Sequence, residues 1–545
     1  MSTTSQRFDP AYFRERDWWR DETIRDWLNR RVAQHGDRLA IATNDTTLTY
    51  RQFADRVTGF AAGLHDAGLR RGDIIAVHLP NTVEFLIAWL GINEIGAVMQ
   101  TIHTPYGPRE AEQLLRHSGA KACIALAKTK DRSPARDIAN LIGHLPNLKL
   151  VIAVGGSAPG ALEFSLVEKR GRENPIARIE IAATDPFMQL YTSGTTSSPK
   201  GASVTHNHFL SNARMCAIEF GMTSDDRILC LAPYTHLYGL YTFQLGISVG
   251  AATCLLDLFT PPSLIQAIQQ LKPTFLFAGP AHIAPCLQQN LFAGVDLSSI
   301  QVAVLSGTTV PVPVSAALEE LMPNGKVLQA WGMTELQFGA CSRRADARQI
   351  RFGTIGRATP GTELRVVDSN DNALPSGEQG ELHVRGCSLF SGYVGNEEAT
   401  KNGFTGDGWF RTGDLASMDA EGNVTLCGRT KELINRGGIK FNPIDIEIAI
   451  TNHPAVALAA IAPLPDKILG ERASCFVILK TGASLNFDQL KGYLAEKHFA
   501  KFTWPEHFVV VDEMPMTPTR KVMKAELVRR YLDSTVRDRP AENYT

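Results

Sequence analysis

Ile74-Ile75-Ala76-Val77-His78-Leu79 is an apolar run of strand length; a helix pattern follows from Val83 to Ile95, and a second strand pattern from Ala97 to Ile102. A strand apolar at nearly every position is buried on both faces, which is the condition of a parallel sheet covered by helices. Working outward, Pro108 to Ser118 reads as a helix and Ala122 to Leu126 as the next strand. Val151 to Val154 and Phe275 to Phe277 are short apolar runs of the same kind. Gln301 to Leu305 leads into Ser306-Gly307-Thr308-Thr309, a turn where a ligand can meet a strand's carboxyl end.

The texture changes after about Gly353. Glu363 to Val367 and Gly380 to Val384 read as strands of a turn-rich β region, with Asn370, Asp371, Pro375 and Gly377 in the turns. Near Gly428 the chain turns polar, and helix and strand patterns resume until about Leu532. The expected fold class is α/β: a large N-terminal domain over 1–430, with its β-rich subdomain at about 353–430, and a smaller α+β C-terminal domain over 431–545. A polar tail is expected from Asp533.

A chain of 545 residues exceeds what one hydrophobic core supports, so two or more domains are expected. The formal net charge of −1 argues against nucleic acid or an anionic membrane as the main partner. The nine cysteines form no C-x-x-C pair, the pattern of scattered, reduced thiols rather than a zinc or disulfide framework. Charged residues from Arg7 to Asp17 stand where a signal peptide needs an apolar run, so the expected compartment is the cytoplasm. Leu237 to Leu256 holds no charge and is long enough for a membrane span, but Gly250-Ala251 more plausibly divides a buried helix from a buried strand.

The strongest chemical signal is Tyr191-Thr192-Ser193-Gly194-Thr195-Thr196-Ser197-Ser198-Pro199-Lys200-Gly201. Glycine lets backbone N–H groups approach an oxyanion, hydroxyls add donors, and a lysine adds positive charge. That suits a polyphosphate, although a Ser/Thr-rich surface loop has the same composition. It is not a Walker A loop, because Pro199 stands where that motif needs its second glycine.

The run resembles the phosphate loop of the adenylate-forming superfamily of acyl-CoA synthetases, aryl acid–AMP ligases and firefly-type luciferases. Four further stretches resemble that family's motifs in the same order: Gln329 to Glu335, Trp409 to Asp414, Gly428 to Glu432, and Pro518 to Lys524. The resemblance implies an enzyme that uses ATP, Mg²⁺ and coenzyme A to adenylate a carboxylic acid and transfer the acyl group to a thiol. It assigns Thr192, Ser193, Gly194, Thr195, Thr196 and Lys200 to the phosphates, and Gly307, Thr308, Trp331, Gly332, Met333 and Thr334 to the nucleotide, with Trp331 stacked on adenine. Glu335 would ligate Mg²⁺, a hard cation that prefers oxygen. Asp414 would accept from the ribose hydroxyls, and Arg429 would pair nearby. Lys431 would be the hinge of a mobile C-terminal domain, and Gly437-Gly438 would lie along pantetheine. Catalytic roles fall to Lys521, His236, Glu335 and Thr195.

Two departures and one competitor qualify the match. The residue before the catalytic lysine is usually glycine, and here it is Arg520. The loop therefore has a different backbone conformation or carries a second charge. Lys524 competes with Lys521 for the catalytic role. Leu237 follows the pocket histidine where hydroxyaryl-acid ligases have asparagine.

The pocket candidates Tyr234, His236, Gly239, Gly279, Ser306, Gly307, Thr308 and Gly332 are small or apolar, which favours a fatty, alicyclic or aromatic acid. Trp18-Trp19-Arg20, Leu28 and Ile434 to Gly438 look similar to aryl acid–AMP ligases and cyclohexanecarboxylate-type CoA ligases. A carrier-protein thiol in place of CoA, and a non-catalytic nucleotide-binding relative, are the alternatives. His206-Asn207-His208 invites a metal reading, but no carboxylate or cysteine partner lies at ligand spacing. No nucleic acid and no integral membrane segment are expected. An oligomer is allowed, a dimer being a guess.

Overall fold

The computed structural model describes residues 9–192, 199–436, 439–466, 469–517 and 520–537. Contacts divide the chain into two compact units, the first built from Met1–Leu364 and Val384–Phe410, the second from Arg365–His383 and Arg411–Thr545.

The first unit holds two large sheets. In the seven-stranded sheet the strands run Leu162–Glu163, Leu150–Val154, Ala122–Leu126, Ile74–His78, Val98–Thr101, Pro186–Thr192 and Lys200–Thr205. All neighbours are parallel except the last pair, which is antiparallel with Thr192 opposite Lys200. The strand expected at 74–79 is buried from Ile75 to His78, and the helix that follows, Val83–Glu94, is apolar all round and almost wholly buried. A helix with no polar face belongs in an interior, and this one lies there.

The nine-stranded sheet is parallel through its centre, with Val302–Leu305 between Phe275–Ala278 and Lys326–Met333. Leu276, Ala278, Ala303, Leu305 and Val327 join Leu264, Ile268, Ile283 and Leu318 of the covering helices in one core. The uncharged stretch after His236 divides as expected. A helix runs over Leu237–Val249, Gly250 takes φ +86° at its end, and a buried strand follows over Ala252–Cys254. Glycine pays no steric cost for that left-handed turn. Among the described residues no helix is long and apolar enough to cross a membrane.

Strands Thr362–Val367, Gln379–Gly386, Phe410–Met418 and Val424–Arg429 form a four-stranded sheet in that order, most of it in the second unit. The second unit also carries a sheet centred on Gly470–Leu479, which pairs antiparallel with Val456–Asp466 and parallel with His507–Val510. Its core gathers Ile446, Ile450, Ile461, Cys475, Val477, Leu490 and Leu494. The tail expected from Asp533 is corrected: the last helix runs Lys524–Arg537, and Asp533 pairs with Arg529 on it at 2.6 Å. An i, i+4 ion pair on an exposed face extends a helix that apolar periodicity alone does not mark. All nine cysteines are free, and Cys427 alone is not buried.

Candidate active site

The strand Lys200–Thr205 closes the phosphate-loop stretch and presents the Lys200 ammonium 5.3 Å from the centre of the Tyr393 ring. Tyr393 is pinned to that strand by its backbone. It bridges Ala202, and the next residue, Val394, donates to the Gly201 carbonyl at 2.8 Å. Its hydroxyl donates to Glu335 Oε1 at 2.5 Å, and the Glu335 carbonyl accepts from Phe390 N–H at 2.8 Å. Burial, with the neighbouring carboxylate second, pushes the Tyr393 hydroxyl far above its ordinary range, so it stays a donor. Tyr393 therefore touches both Lys200, over its ring, and Glu335, at its hydroxyl, beside the phosphate-loop strand, with Glu335 6% exposed. Ser193, Gly194, Thr195 and Thr196 lie outside the described residues, as does the side chain of Thr192.

Glu335 sits in the connection between Lys326–Met333 and Gln337–Cys341, where Met333, Thr334 and Glu335 precede Gln337 at φ +77°. Gly332 is required here, since a Cβ would stand 1.9 Å from the Gln337 carbonyl oxygen. Trp331 is buried on the same strand, with its ring over Gly339, where a Cβ would meet it at 2.5 Å.

His236 caps the helix Leu237–Val249, its Nδ1 accepting from Tyr238 N–H at 3.2 Å. Burial pushes its imidazole down to about 4, so the ring is neutral at pH 7. With Nδ1 an acceptor, the proton of the neutral ring is on Nε2, making His236 a hydrogen-bond donor rather than a base. Its ring stacks at 6.3 Å on His103, which bonds Thr235 Oγ1 through Nδ1 at 2.9 Å. Tyr234 is buried against Phe85, and its N–H donates to Asn81 Oδ1 at 2.7 Å. Gly239 lets the helix begin against the preceding turn, where a Cβ would stand 2.4 Å from the Pro233 oxygen.

Tyr238 reaches across to the ends of two central strands, its hydroxyl donating to the carbonyls of Val304 at 2.9 Å and Ala278 at 3.3 Å. Those strands lead directly into Ser306 and Gly279. Ser306 is buried, while Gly307 and Thr308 are exposed, Gly307 at φ +94° with open space around it. The carboxyl-end turn expected from sequence is in place.

In the second unit, Asp414 and Arg429 face each other across an antiparallel strand pair, with Arg429 Nε donating to Asp414 Oδ1 at 2.7 Å. Lys431 is exposed in a short 3-10 turn, Thr430–Glu432. Glu432 accepts from Lys521 Nζ at 3.3 Å and pairs with Lys524 at 3.6 Å, and Lys524 also holds Glu447 at 2.5 Å. Burial alone would raise the Glu432 carboxyl, but the two ammonium groups outweigh it and hold it below its usual range. Lys524 is thus committed to two carboxylates, whereas Lys521 is the more exposed of the two lysines.

Arg520 takes φ +61°. Its N–H donates to the Thr517 carbonyl at 2.8 Å, and Thr517 N–H donates to the Lys521 carbonyl at 2.8 Å. This φ lies in the left-handed region, where glycine is favoured. Arg520 thus carries its charge in a conformation that glycine adopts without steric cost. Gly437, Gly438, Pro518 and Thr519 lie outside the described residues.

Sequence reading missed Tyr393, which stands 58 residues from its partner Glu335. Trp19, singled out for its layout, donates through its indole to the Cys387 carbonyl at 2.8 Å and packs on Phe13 and Met215. His206 and His208 accept backbone N–H groups of Ile24 and Thr205, and no metal-binding group occurs among the described residues.

Residues 28–394 match the model of the AMP-binding enzymes, and 445–521 that of their C-terminal domain. A putative acyl-CoA synthetase of Bacillus subtilis strain 168, YngI, is 31% identical over 94% of this chain and 97% of its own. The medium-chain fatty-acid–CoA ligase of Escherichia coli K12 is 29% identical over 94% and 91%. The crystal structure of the anthranilate CoA ligase AuaEII with anthranoyl-AMP superposes with a TM-score of 0.86 at 26% identity, over 95% of this chain and 98% of its own. The chain belongs to the AMP-binding enzyme family.

Proposed function

We propose that the protein is an ATP-dependent acid–thiol ligase, which joins a carboxylate to AMP with release of pyrophosphate and then passes the acyl group to coenzyme A. The observation that carries this reading is the cluster of Lys200, Tyr393 and Glu335 beside the phosphate-loop strand, in a chain of the AMP-binding family.

A carboxylate is a poor electrophile because its leaving group would be oxide. Attack of a carboxylate oxygen on the α-phosphorus of ATP expels pyrophosphate and leaves a mixed anhydride whose leaving group is AMP. Negative charge spreads over the phosphoryl oxygens in that step, and fixed positive charge stabilises it. Lys200 and the residues 192–196 would bind the phosphates, and Lys521 would act on the reacting groups. Glu335, with one oxygen held by a tyrosine hydroxyl, is a hard, anionic ligand suited to Mg²⁺, which would neutralise phosphate charge when bound. Trp331, Gly332, Met333, Thr334, Gly307 and Thr308 would line the nucleotide, with Asp414 and Arg429 at the ribose. His236 would orient the acid through its Nε2–H. A thiolate then attacks the acyl carbon, the carbon–oxygen bond to AMP breaks, and a thioester forms. Lys431, on its exposed turn, would be the hinge between the 1–430 and 431–545 segments, exchanging the Lys521 face for the one bearing Gly437 and Gly438.

The preferred acid is apolar and of medium size. Support comes from the aromatic and small residues around His236, and from a relative that acts on medium-chain fatty acids. The unbridged thiols favour the cytoplasm.

Pyrophosphate release is the test, measured with ATP and Mg²⁺ against fatty acids of several lengths, cyclohexanecarboxylate, benzoate and hydroxybenzoates, with and without CoA. Acid-dependent release accelerated by CoA, with an acyl-CoA product by mass spectrometry, is expected. Release indifferent to CoA would transfer the second step to a carrier-protein thiol, and no release with any acid would sink the reading.

A further inference from the structure

Behind the strand that carries Asp414 lies a charged network, all of it in the second unit. His383 is fully buried, with Nε2 3.7 Å from Asp371 Oδ1 and 4.0 Å from Glu381 Oε1. Each carboxylate reaches the Asp414 strand at a different residue. Glu381 Oε1 accepts from Gly413 N–H at 3.1 Å, and Asp371 forms an ion pair with Arg411. Thr412, between them, donates its hydroxyl to the Leu382 carbonyl at 2.6 Å, and the same oxygen accepts from Asp414 N–H at 3.0 Å. Of the three residues before Asp414, Gly413 and Thr412 are therefore held from the strand of Glu381 and Leu382, and Arg411 from the turn at Asp371.

The local backbone shows why fixing is needed. Gly413 has φ +72° inside a strand, and Asp371 has φ +64° at its turn. A glycine within a strand leaves the chain free to take other conformations, and the Asp414 carboxylate moves with it. Burial raises the Glu381 carboxyl and the Gly413 N–H pulls against it. His383, fully buried, stands within 4.0 Å of both acids, which are themselves only partly covered.

We propose that His383 is a positioning residue for ribose recognition: through Glu381 and Asp371 it holds residues 411–413, so that the Asp414 carboxylate faces the ribose hydroxyls of the bound nucleotide. The inference rests on Asp414 reading the ribose. It is therefore tested by binding, which does not require turnover.

The experiment is calorimetric binding of AMP and 2′-deoxy-AMP to the full-length protein and its variants. The unaltered protein prefers AMP. His383→Leu loses that preference by about tenfold or more, the scale of one hydrogen bond to a charged group, by weakening AMP while leaving 2′-deoxy-AMP little changed. Glu381→Gln keeps an acceptor for Gly413 and removes the charge beside His383, so it loses less. It also provides the reading if His383→Leu does not fold. A merely structural role lowers the melting temperature and weakens both nucleotides alike, and that result overturns the proposal. An unaltered protein that binds both nucleotides equally also overturns it, while acid-dependent pyrophosphate release would still stand as the separate mark of the ligase.

Discussion

Glu335 in the first unit is buried and Glu432 in the second is half-buried, and different groups hold them. The Tyr393 hydroxyl donates to Glu335 beside the Lys200 strand. Two ammonium groups grip Glu432, so its charge is spent within the unit. A carboxylate held by a neutral donor is prepared to receive a cation, whereas one held by cations serves to store them. On the proposed function, Glu335 would be the oxygen ligand for Mg²⁺, and Glu432 would hold Lys521 when it is away from the reacting groups.

The largest expected effect tests the second half of that contrast. Lys521→Ala should lower acid-dependent ATP–pyrophosphate exchange by about 10²–10³-fold, the scale of removing one charge-stabilising donor from a phosphoryl or acyl transition state. Thioester formation from a supplied acyl-adenylate should be spared. Quenched-flow measurement of the two half-reactions separates these outcomes. Equal loss in both would mean that Lys521 serves the structure around Glu432 and not the first step.

Next in size is Tyr393→Phe, which removes the neutral grip on Glu335 and keeps the ring under Lys200. Exchange should fall by about tenfold, the worth of one hydrogen bond to a charged group, and the Mg²⁺ concentration for half-maximal rate should rise. An unchanged Mg²⁺ dependence would remove Glu335 from the metal site.

The comparison also marks where sequence stops informing. The strands at 74–78, 122–126 and 302–305 were legible because burial on both faces forces continuous apolar runs. The helix-to-strand break at Gly250 was legible because glycine is cheap at a left-handed turn. Tyr393 was not, because a tyrosine hydroxyl has no periodicity and its partner lies 58 residues away. Nor was the sharing of Glu432 by two lysines, the first of them 89 residues distant. Side-chain partnerships of that range come from the sheets that carry them, not from local spacing. His383 is a different case: Glu381 stands at the alternate position of its own strand, and Asp371 comes into range through the turn before that strand.

The smallest effect sharpens the account of Lys521 itself. Arg520 holds φ +61°, a region that costs a non-glycine residue roughly 1–2 kcal/mol. Glycine would relieve that strain but lose about 0.5–1 kcal/mol to the greater freedom of the unfolded chain. Arg520→Gly should therefore stabilise the protein by about 0.5 kcal/mol, read from denaturant unfolding followed by a probe in the second unit. Adenylation should stay within about twofold, since the bonds linking Thr517 with Arg520 and Lys521 are backbone bonds that glycine also makes. Destabilisation instead would show that the arginine side chain contributes more than its backbone costs. A fall in adenylation with stability unchanged would show that the second positive charge beside Lys521 belongs to the chemistry.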